Sequence, residues 1–454
     1  MSKMAIFWAT LYFGNLAGAI LHPIHPMVAY LAFYYLPPHL NWWGRGVLPD
    51  LRYSLLASGV LLLSVLFVRS NMEPLKREWN PAMPWLLAWG ANTALVTAWA
   101  LQTARSWAYT VVCLKLVLLY ALIPAAVRTP NQFDIFGAAH VAGAFYWGYK
   151  AWDNPKRSAG RLAEVGGPDT QSDNQAAGHL LTVLPFAALY VLTVKRRVPR
   201  LLSAVAAAFI VNVFILCNSR GATTGLVVAG LAAIVLAGKG RRKKFLGVAA
   251  LGAVAVLYMA DPEFIERQQT TTNPQDGSAL SRCVLWGAGL EMVRDMPFGG
   301  GGRTFHILSA RYLPQSMLER RQAEEKSPHN TFIQLATDWG VQGFVFYSGF
   351  MFGTLWMLHR IRKRTPDNTW YVYRSLAIET ALIGTFTAGM FTARLYGESI
   401  YWMCALAFAL YRIQSTELEA DGPVVVEGEA SVTSESVELR PAAAARHVHG
   451  AVSG

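Results

Sequence analysis

The sequence has little charge for its length. Charged residues make up 15% of the 454 residues, whereas an ordinary soluble domain has about 25%. A soluble protein of this size does not need to give up so much polar surface, and 53% of this chain is hydrophobic. The composition therefore excludes a soluble enzyme and a disordered chain and indicates a polytopic α-helical membrane protein. The apolar runs are continuous rather than alternating, which argues against an outer-membrane barrel.

Cysteine is also scarce, with four residues in the chain. They are too few and too scattered for a disulfide framework or a zinc site. Cys217 and Cys283 each lie close to a candidate arginine, but we interpret them as small buried thiols rather than as a disulfide. The apolar residues 4–21 lack a small-residue exit, so no cleavable signal peptide is predicted.

Acidic residues are sparse before residue 413. The segment 413–454 holds seven of the 28 acids and two of the 40 bases, which leaves 38 basic and 21 acidic residues ahead of it. A strongly basic membrane body indicates anionic partners, either lipid headgroups or a phosphate-bearing substrate. No soluble basic domain is present to hold nucleic acid, so no nucleic-acid partner is predicted.

Several apolar segments approach the roughly 20 residues of a membrane-spanning helix. They lie near residues 51–68, 84–101, 107–127, 132–148, 176–194, 201–217, 223–238, 245–260, 331–357, 371–391 and 396–412. Residues 4–36 are apolar too, but His22, Pro23, His25 and Pro26 interrupt them. This region is therefore one bent crossing, two half-helices or a hairpin.

Clusters of Lys and Arg orient these helices. Residues 195–197, 241–244 and 362–364 each lie in a short predicted loop, and two spans separate each cluster from the next. Short loops rich in Lys and Arg stay in the cytoplasm. With an internal amino terminus, residues 4–36 cross once and the total is twelve, which favours the single bent crossing. The periplasmic face then holds 37–50, 149–175, 218–222, 261–330 and 392–397.

The predicted class is an all-α polytopic membrane protein with about twelve transmembrane helices and a periplasmic helical subdomain. Residues 1–260 form transmembrane helices 1–9, and residues 261–330 form the periplasmic subdomain, with helical stretches at 282–296 and 306–325. A loop of this length without its own structure would be unusual. Residues 331–412 form transmembrane helices 10–12, and residues 413–454 form a disordered cytoplasmic tail.

Three residues on the predicted periplasmic face have the chemistry of a group-transfer site. Arg220 lies in Asn-Ser-Arg-Gly between two spans, Arg282 lies in Ser-Arg-Cys-Val-Leu-Trp, and His329 lies in Pro-His-Asn-Thr-Phe before another span. Two guanidinium groups can clamp a diphosphate and stabilise the charge that develops as it leaves. A nearby imidazole is a natural general base near neutral pH. Such a transferase needs no metal and no cofactor.

Each of these residues has a simpler interpretation when it is taken alone. A single Arg at a helix end is most often a headgroup anchor, and a lone His at a helix start is usually a cap or a surface residue. The four glycines at 299–302 indicate flexible or closely approached backbone, since no strand precedes them as in a Walker or Rossmann motif. Only the combination of the three residues favours a site.

The combined pattern resembles the O-antigen ligase superfamily, which includes O-antigen ligases, some O-antigen polymerases and bacterial O-oligosaccharyltransferases. The order is Ser-Arg-Gly, then Ser-Arg-x-x-x-Trp with a downstream Pro-x-Gly-x-Gly, then His-Asn with Gly340 further along the same span. The resemblance covers about residues 176–412. Pro-Pro-His at 37–39, Trp-Trp-Gly at 42–44 and Asp-Asn at 173–174 are similar to ligase-like proteins associated with exosortase systems.

The resemblance implies a fold and a function. It implies about twelve spans in the bacterial inner membrane and a catalytic centre facing the periplasm. The donor would be an undecaprenyl-diphosphate-linked glycan, and the acceptor would be lipid A–core, a protein or a polysaccharide. Arg220 and Arg282 would contact the donor diphosphate, and His329 would activate the acceptor hydroxyl. Membrane lipids are the remaining expected partners.

Other polar residues are secondary candidates. Asp338 orients the site electrostatically or faces the bundle, and Arg394 either pairs with Glu398 at i, i+4 or lines the cavity. Arg303 belongs to a set of basic residues in the outer segment that contact the acceptor or headgroups, or form a solvated face; the others are Arg311, Arg320, Arg321 and Lys326. The loop 149–175 contains two acids and an amide, Asp169, Asp173 and Asn174, which suggest a divalent cation site. Helix capping and surface polarity explain these residues better.

Two alternatives to a ligase remain. A polymerase of the same superfamily would use a second lipid-linked repeat as acceptor, and the sequence does not separate it from a ligase. A transporter or flippase of lipid-linked sugars usually has internal repeats and ionisable residues at mid-membrane. The sequence has no clear repeat, and Lys115 is the one basic residue well inside a predicted span.

Overall fold

The computed structural model describes residues 2–68, 75–158, 160–170, 172–269, 277–319 and 325–420. The protein is an all-α membrane protein, as predicted, with one two-stranded hairpin in the described ranges. The helices are α1 (Lys3–Ala17), α2 (Ile24–Tyr35), α3 (Tyr53–Val68), α4 (Met83–Thr97), α5 (Thr103–Ala126), α6 (Pro130–Asp153), α7 (Asp173–Thr193), α8 (Arg197–Leu216), α9 (Arg220–Leu236), α10 (Arg242–Met259), α11 (Pro262–Gln269), α12 (Gly277–Asp295), α13 (Thr304–Tyr312), α14 (Gln315–Glu319), α15 (Thr331–Arg364), α16 (Thr369–Gly389) and α17 (Glu398–Ala420). The strands are β1 (Arg157–Ser158) and β2 (Arg161–Leu162), and short 3-10 turns lie at Gly18–Ile20 and Pro38–Leu40.

Local capping signals explain where several helices begin. Thr129 and Gln132 form a capping box at the start of α6, and Ser172 and Gln175 form another at the start of α7. Each box satisfies backbone N–H groups that have no partner within the helix. Asn330 caps α15 through its side-chain oxygen, which accepts from the next residues along the helix. These boundaries lie within a few residues of the predicted spans.

The ends of the helices lie on two opposite faces of the bundle. On one face, Gln132 in the first turn of α6 contacts His22 before α2 at 2.9 Å, and Arg241 before α10 donates to the carbonyl of Pro366 before α16 at 2.6 Å. We call this the basic face, because the Lys and Arg clusters lie in its loops. On the other face, Ser219 before α9 donates to Asn174 at the start of α7 at 2.7 Å. We call this the site face.

Exposed tryptophans border both faces, as expected at the two interfaces of a bilayer. On the site face they are Trp42, Trp99, Trp107 and Trp152, and in the half of the bundle towards the basic face they are Trp79, Trp85 and Trp356. Amphipathic indole rings lie at the level of lipid headgroups. This distribution agrees with a bundle embedded in a membrane.

Length and apolar composition together identify fewer spans than the sequence predicted. In the described ranges α5, α7, α8 and α15 meet both criteria, and α10 with α11 form a fifth candidate that bends by 116°. The helix α17 falls short because it is polar in places, but it is buried from Ser399 to Ser415 along most of its length. A helix surrounded by other helices does not need an apolar surface all round, so apolar composition alone identifies only part of the bundle.

The first two helices form a hairpin, which differs from the single bent crossing that the parity argument favoured. The ring of Tyr53, at the start of α3, packs on Trp8 of α1 and on Phe33 of α2. At the other end of α3, Ser64 donates to the carbonyl of Ala19 in the connecting turn. The helices α1 and α2 are therefore antiparallel, and the amino-terminal end of α1 lies on the site face, beside Tyr53.

Two further predictions need correction. The helical stretch expected at 306–325 is divided into α13 and α14, because Pro314 interrupts it and cannot donate a backbone hydrogen bond. The tail expected from residue 413 does not begin there, since α17 continues to Ala420. The remainder of the predicted tail, 421–454, lies outside the described residues, as do Arg320 and Arg321.

Candidate active site

Arg220 is the first residue of α9 and lies on the site face. Ser219 precedes it as the N-cap, and the Ser219 Oγ accepts from the backbone N–H of Ala222 at 3.4 Å. Asn218 has a positive φ of 48°, which turns the chain sharply between α8 and α9. Arg220 is only 8% exposed. A guanidinium at a helix N-terminus adds its charge to the partial positive charge of the helix, and both attract anions.

Phe391 joins the two arginine-bearing helices. It lies in the connector between α16 and α17, residues 390–397, which we call the connector. The Arg282 guanidinium is 5.6 Å from the centre of the Phe391 ring, and the Trp286 ring, one helical turn later on α12, is 6.2 Å from it. A Cβ on Gly221, next to Arg220, would lie 2.7 Å from the Phe391 Cβ. One side chain therefore contacts the segments that carry both arginines.

His329 is held at the same connector through the first turn of α15. His329 itself is exposed and has a positive φ of 47°. Two residues later, the Thr331 Oγ1 donates to the carbonyl of Thr392 at 2.8 Å and accepts from the backbone N–H of Arg394 at 2.9 Å. The turn that presents the imidazole is thus fixed to the segment that contacts Arg282 and the start of α9.

Asp338 lies inside the protein, where it connects neighbouring segments. It is completely buried, and its Oδ1 accepts from the backbone N–H of Thr304 at 2.9 Å. Its carbonyl accepts from the N–H of Gly301 at 2.9 Å, and the hydroxyl of Tyr396 donates to its Oδ2 at 3.3 Å. Asp338 therefore fixes the glycine loop and the start of α13 to the kink of α15 at Gly340.

The glycine loop packs against the protein itself. A Cβ at Gly301 would lie 2.4 Å from the Cβ of Ala100, and Gly301 has a φ of 92°. At Gly299 a Cβ would lie 2.5 Å from the backbone nitrogen of Gly340. The interpretation of a closely approached backbone is correct for these positions, and the approaching atoms belong to the segment between α4 and α5 and to α15.

Arg303 forms an ion pair, so its charge is not isolated. Its Nη2 is 3.3 Å from Glu325, and the same carboxylate accepts from Arg105 at 2.8 Å. Hydrogen bonding to Arg105 lowers the pKa of Glu325 below its usual range. His306 lies nearby on α13, where burial and then the charge of Arg303 lower the imidazole pKa to about 4. This group lies at and around α13 and borders the segment before His329.

Arg394 does not pair with Glu398, the partner that the i, i+4 spacing suggested. Its Nη1 donates to the carbonyl of Asp169 at 2.8 Å, and its Nη2 is 3.6 Å from the Asp169 carboxylate. Glu398 accepts from the hydroxyl of Tyr30 at 2.6 Å, and its backbone N–H donates to Asp169 at 2.9 Å. The Arg394 guanidinium is nearly completely buried, with 1% of the side chain exposed.

Asp169 is the residue that the sequence interpretation missed. Surface polarity was the preferred explanation, yet Asp169 accepts from Tyr34 of α2 and faces Arg394 of the connector. Tyr34 also hydrogen-bonds His179 of α7 at 3.1 Å. No local pattern around Asp169 signals these contacts, because its partners lie more than 130 positions before it and 225 after it. Helix capping, the other explanation offered for this loop, applies to Ser172, which caps α7.

Asp173 and Asn174 have separate partners. Asp173 forms an ion pair with Arg161 of β2 at 2.6 Å, and Asn174 accepts from Ser219. Cys217 is buried and Cys283 is exposed, and both are free thiols. The expected burial therefore applies to Cys217 and is wrong for Cys283.

Residues 205–348 match the family model described as O-antigen ligase. This segment of the chain is similar to the O-antigen ligase family. This match confirms the predicted resemblance to the O-antigen ligase superfamily and supports a membrane enzyme of the ligase or polymerase type. The matched segment contains Arg220, Arg282 and His329 and ends before Arg394. No curated protein matches the chain.

Proposed function

We propose that this protein is a glycan ligase of the bacterial inner membrane. It transfers a glycan from undecaprenyl diphosphate to an acceptor hydroxyl on the periplasmic face. The observation that carries the proposal is the connector, which contacts Arg282, the backbone beside Arg220 and the turn after His329. The position of all three residues inside the segment that matches the O-antigen ligase family supports the same assignment.

The proposed reaction is a direct displacement at the anomeric carbon. His329 takes the proton of the acceptor hydroxyl, and the acceptor oxygen forms a bond to the anomeric carbon. The bond from that carbon to the diphosphate oxygen breaks, and polyprenyl diphosphate leaves with the electron pair. Arg220 and Arg282 stabilise the negative charge that develops on the diphosphate. The exposed imidazole then returns its proton to water.

We propose that the basic face is cytoplasmic and the site face periplasmic, following the preference of Lys and Arg for cytoplasmic loops. The helices α1–α10 and α15–α17 make thirteen passes between the two faces when α1 and α2 are counted separately. Thirteen passes put the amino terminus on the periplasmic face and the end of α17 in the cytoplasm. In this arrangement α12, α13 and α14 belong to the periplasmic subdomain.

The acceptor distinguishes a ligase from a polymerase. Both use the same donor and the same displacement, so the proposed roles of Arg220, Arg282 and His329 apply to either. Purified protein supplied with one lipid-linked donor and, in turn, lipid A–core, a protein or a second lipid-linked repeat should elongate one acceptor class. Elongation of the lipid-linked repeat alone would replace the ligase with a polymerase.

The test of the catalytic roles is transfer by purified variants in detergent. Arg220→Ala, Arg282→Ala and His329→Ala should each lower the rate by roughly 100-fold or more, as expected for loss of a charge-stabilising group or a general base. Arg294→Ala is the matched control, since Arg294 is exposed on the same helix as Arg282. Normal transfer by His329→Ala would show that the assigned base is wrong.

A transporter predicts a different product. The buried His140 and His179 show that ionisable residues do occur inside the bundle, so the position of charges does not separate the two classes. An assay in proteoliposomes that hold donor on one side separates a ligase from a transporter. A ligase releases polyprenyl diphosphate and forms a glycosylated acceptor, whereas a transporter moves intact donor across the bilayer and forms neither product.

A further inference from the structure

One carboxylate of the site face lies between two arginines from different elements. The Glu325 Oε1 accepts from the Arg105 Nη1 at 2.8 Å, and the Glu325 Oε2 accepts from the Arg303 Nη2 at 3.3 Å. Arg105 lies in the first turn of α5, and Arg303 is the N-cap of α13. Hydrogen bonds in which both groups are charged are the stronger kind. The carboxylate therefore joins the chain just before His329 to α5 and to α13.

The two arginines stand on backbone that is itself fixed. Ser106, next to Arg105, accepts through its Oγ from a backbone N–H of the glycine loop at 3.1 Å. Thr304, next to Arg303, donates its backbone N–H to the buried Asp338 at 2.9 Å. An isolated ion pair at a protein surface contributes little, because two long side chains must be ordered and water screens the charges. Here one carboxylate binds two arginines whose backbone is already held, so this contact orders the chain more effectively than an isolated pair.

The segment from Glu325 to His329, which we call the His329 segment, is held at both ends. Beside the carboxylate contact, the backbone N–H of Lys326 donates to the Oγ of Ser309 on α13 at 3.1 Å. After the segment, Asn330 caps α15, and the turn that follows is bound to the connector. The exposed imidazole of His329 lies between these two attachments.

The first attachment limits where the imidazole can lie. Four residues of extended chain reach at most about 14 Å, so release of Glu325 frees the His329 segment to move by several ångströms at its start. A misplacement of about 1 Å at a reacting group can lower a rate by about 100-fold. The position of His329 therefore depends on the attachment of Glu325 as well as on the connector.

We propose that Glu325 is a positioning residue of the transfer reaction. Its carboxylate, held by Arg105 and Arg303, fixes the start of the His329 segment and places the imidazole against the acceptor hydroxyl. This inference rests on the proposed function, because Glu325 acts through His329. The arginines that hold Glu325 belong to α5 and α13, whereas the proposed diphosphate ligands belong to α9 and α12. Donor binding should therefore survive when Glu325 is changed.

The experiment measures steady-state transfer by the purified full-length protein, with an undecaprenyl-diphosphate-linked glycan and whichever acceptor the wild type elongates. Glu325→Gln keeps the size of the side chain and removes its charge. It should lower kcat by about ten- to hundredfold, while the KM for donor changes by less than about twofold. Arg105→Gln combined with Glu325→Gln should lower kcat no further than Glu325→Gln alone, since both changes break the same contact.

Glu164→Gln is the matched control. It breaks the exposed Lys156–Glu164 ion pair on the same face and should keep the wild-type kcat. If Glu325→Gln does not fold, Arg105→Gln removes the same hydrogen bond from the other side and gives the same comparison. A kcat for Glu325→Gln equal to that of Glu164→Gln would overturn the inference. A loss seen only as a higher KM for donor, or a further loss in the double variant, would also overturn it.

His329→Ala distinguishes failure of this inference from failure of the proposed function. Loss of transfer in His329→Ala together with normal transfer in Glu325→Gln would overturn the role of Glu325 alone. Normal transfer in His329→Ala would overturn the assignment of the base, and the positioning role of Glu325 with it.

Discussion

The guanidinium of Arg282 lies 5.6 Å from the centre of the Phe391 ring, although 109 positions separate the two residues in the chain. The same phenylalanine abuts Gly221, the neighbour of Arg220. Because one rigid ring contacts both arginine-bearing segments, its size sets how far apart their backbones lie. We therefore interpret Phe391 as a positioning residue of the proposed diphosphate site.

Phe391→Leu should weaken donor binding more than it slows the chemical step. Losing the contact between the guanidinium and the ring costs about 0.5–2 kcal/mol, which corresponds to a rise in the KM for donor of roughly two- to thirtyfold. Steady-state transfer kinetics measure the split between KM and kcat. Phe391→Trp should restore the contact, and Phe298→Leu is the control because the Phe298 side chain is 68% exposed. An unchanged KM in Phe391→Leu would contradict the positioning role.

Asp169→Asn should destabilise the protein strongly. Removing one partner of a buried ion pair leaves the other charge uncompensated, at a cost of about 3–5 kcal/mol. Arg394→Met combined with Asp169→Asn should recover part of the loss, because neither charge then remains. Thermal unfolding of the single and double variants measures this coupling. Glu164→Gln breaks the exposed Lys156–Glu164 pair and should leave stability nearly unchanged, because solvent screens an exposed pair.

Gly301→Ala should lower the melting temperature even though alanine is small. Its φ of 92° is unfavourable for any side chain, and the added Cβ would lie 2.4 Å from Ala100 and 2.8 Å from the Ser106 Oγ. Gly252→Ala in α10 is the matched control, since no atom lies within 4 Å of its Cβ. Alanine should be neutral or stabilising there by about 0.5–1 kcal/mol. A melting temperature for Gly301→Ala at or above wild type would show that the loop adjusts freely.

The region around α13 should lose stability as the pH falls below about 6.5. Burial and the charge of Arg303 lower the pKa of His306 to about 4, whereas an unfolded histidine titrates near 6.5. Between these values the unfolded chain binds more protons than the folded chain, so stability rises with pH through this window and is complete above it. His306→Phe should flatten the melting temperature between pH 4 and 6.5. His359→Phe, an exposed position, should leave the wild-type slope.

Most of the helices follow from local features of the sequence. The spans predicted at 176–194 and 331–357 correspond to α7 and α15, whose starts are fixed by capping residues a few positions away. Counting membrane crossings did not predict the hairpin of α1 and α2, because that count assumed that the amino terminus lies in the cytoplasm. The contact of Tyr53 with both Trp8 and Phe33 decides it, and that contact depends on packing.

The sequence by itself determined the membrane class, and it supplied the sidedness of the charged loops and the residues that could handle a diphosphate as predictions. Hydropathy, charge clusters and capping are properties of neighbouring residues, so they can be read along the chain. Only the tertiary structure decided that the connector touches the segments of Arg220, Arg282 and His329, that Asp338 supports the glycine loop, and that Arg394 pairs with Asp169. Those contacts join segments far apart in the chain, and the packing of the helices determines which of them meet.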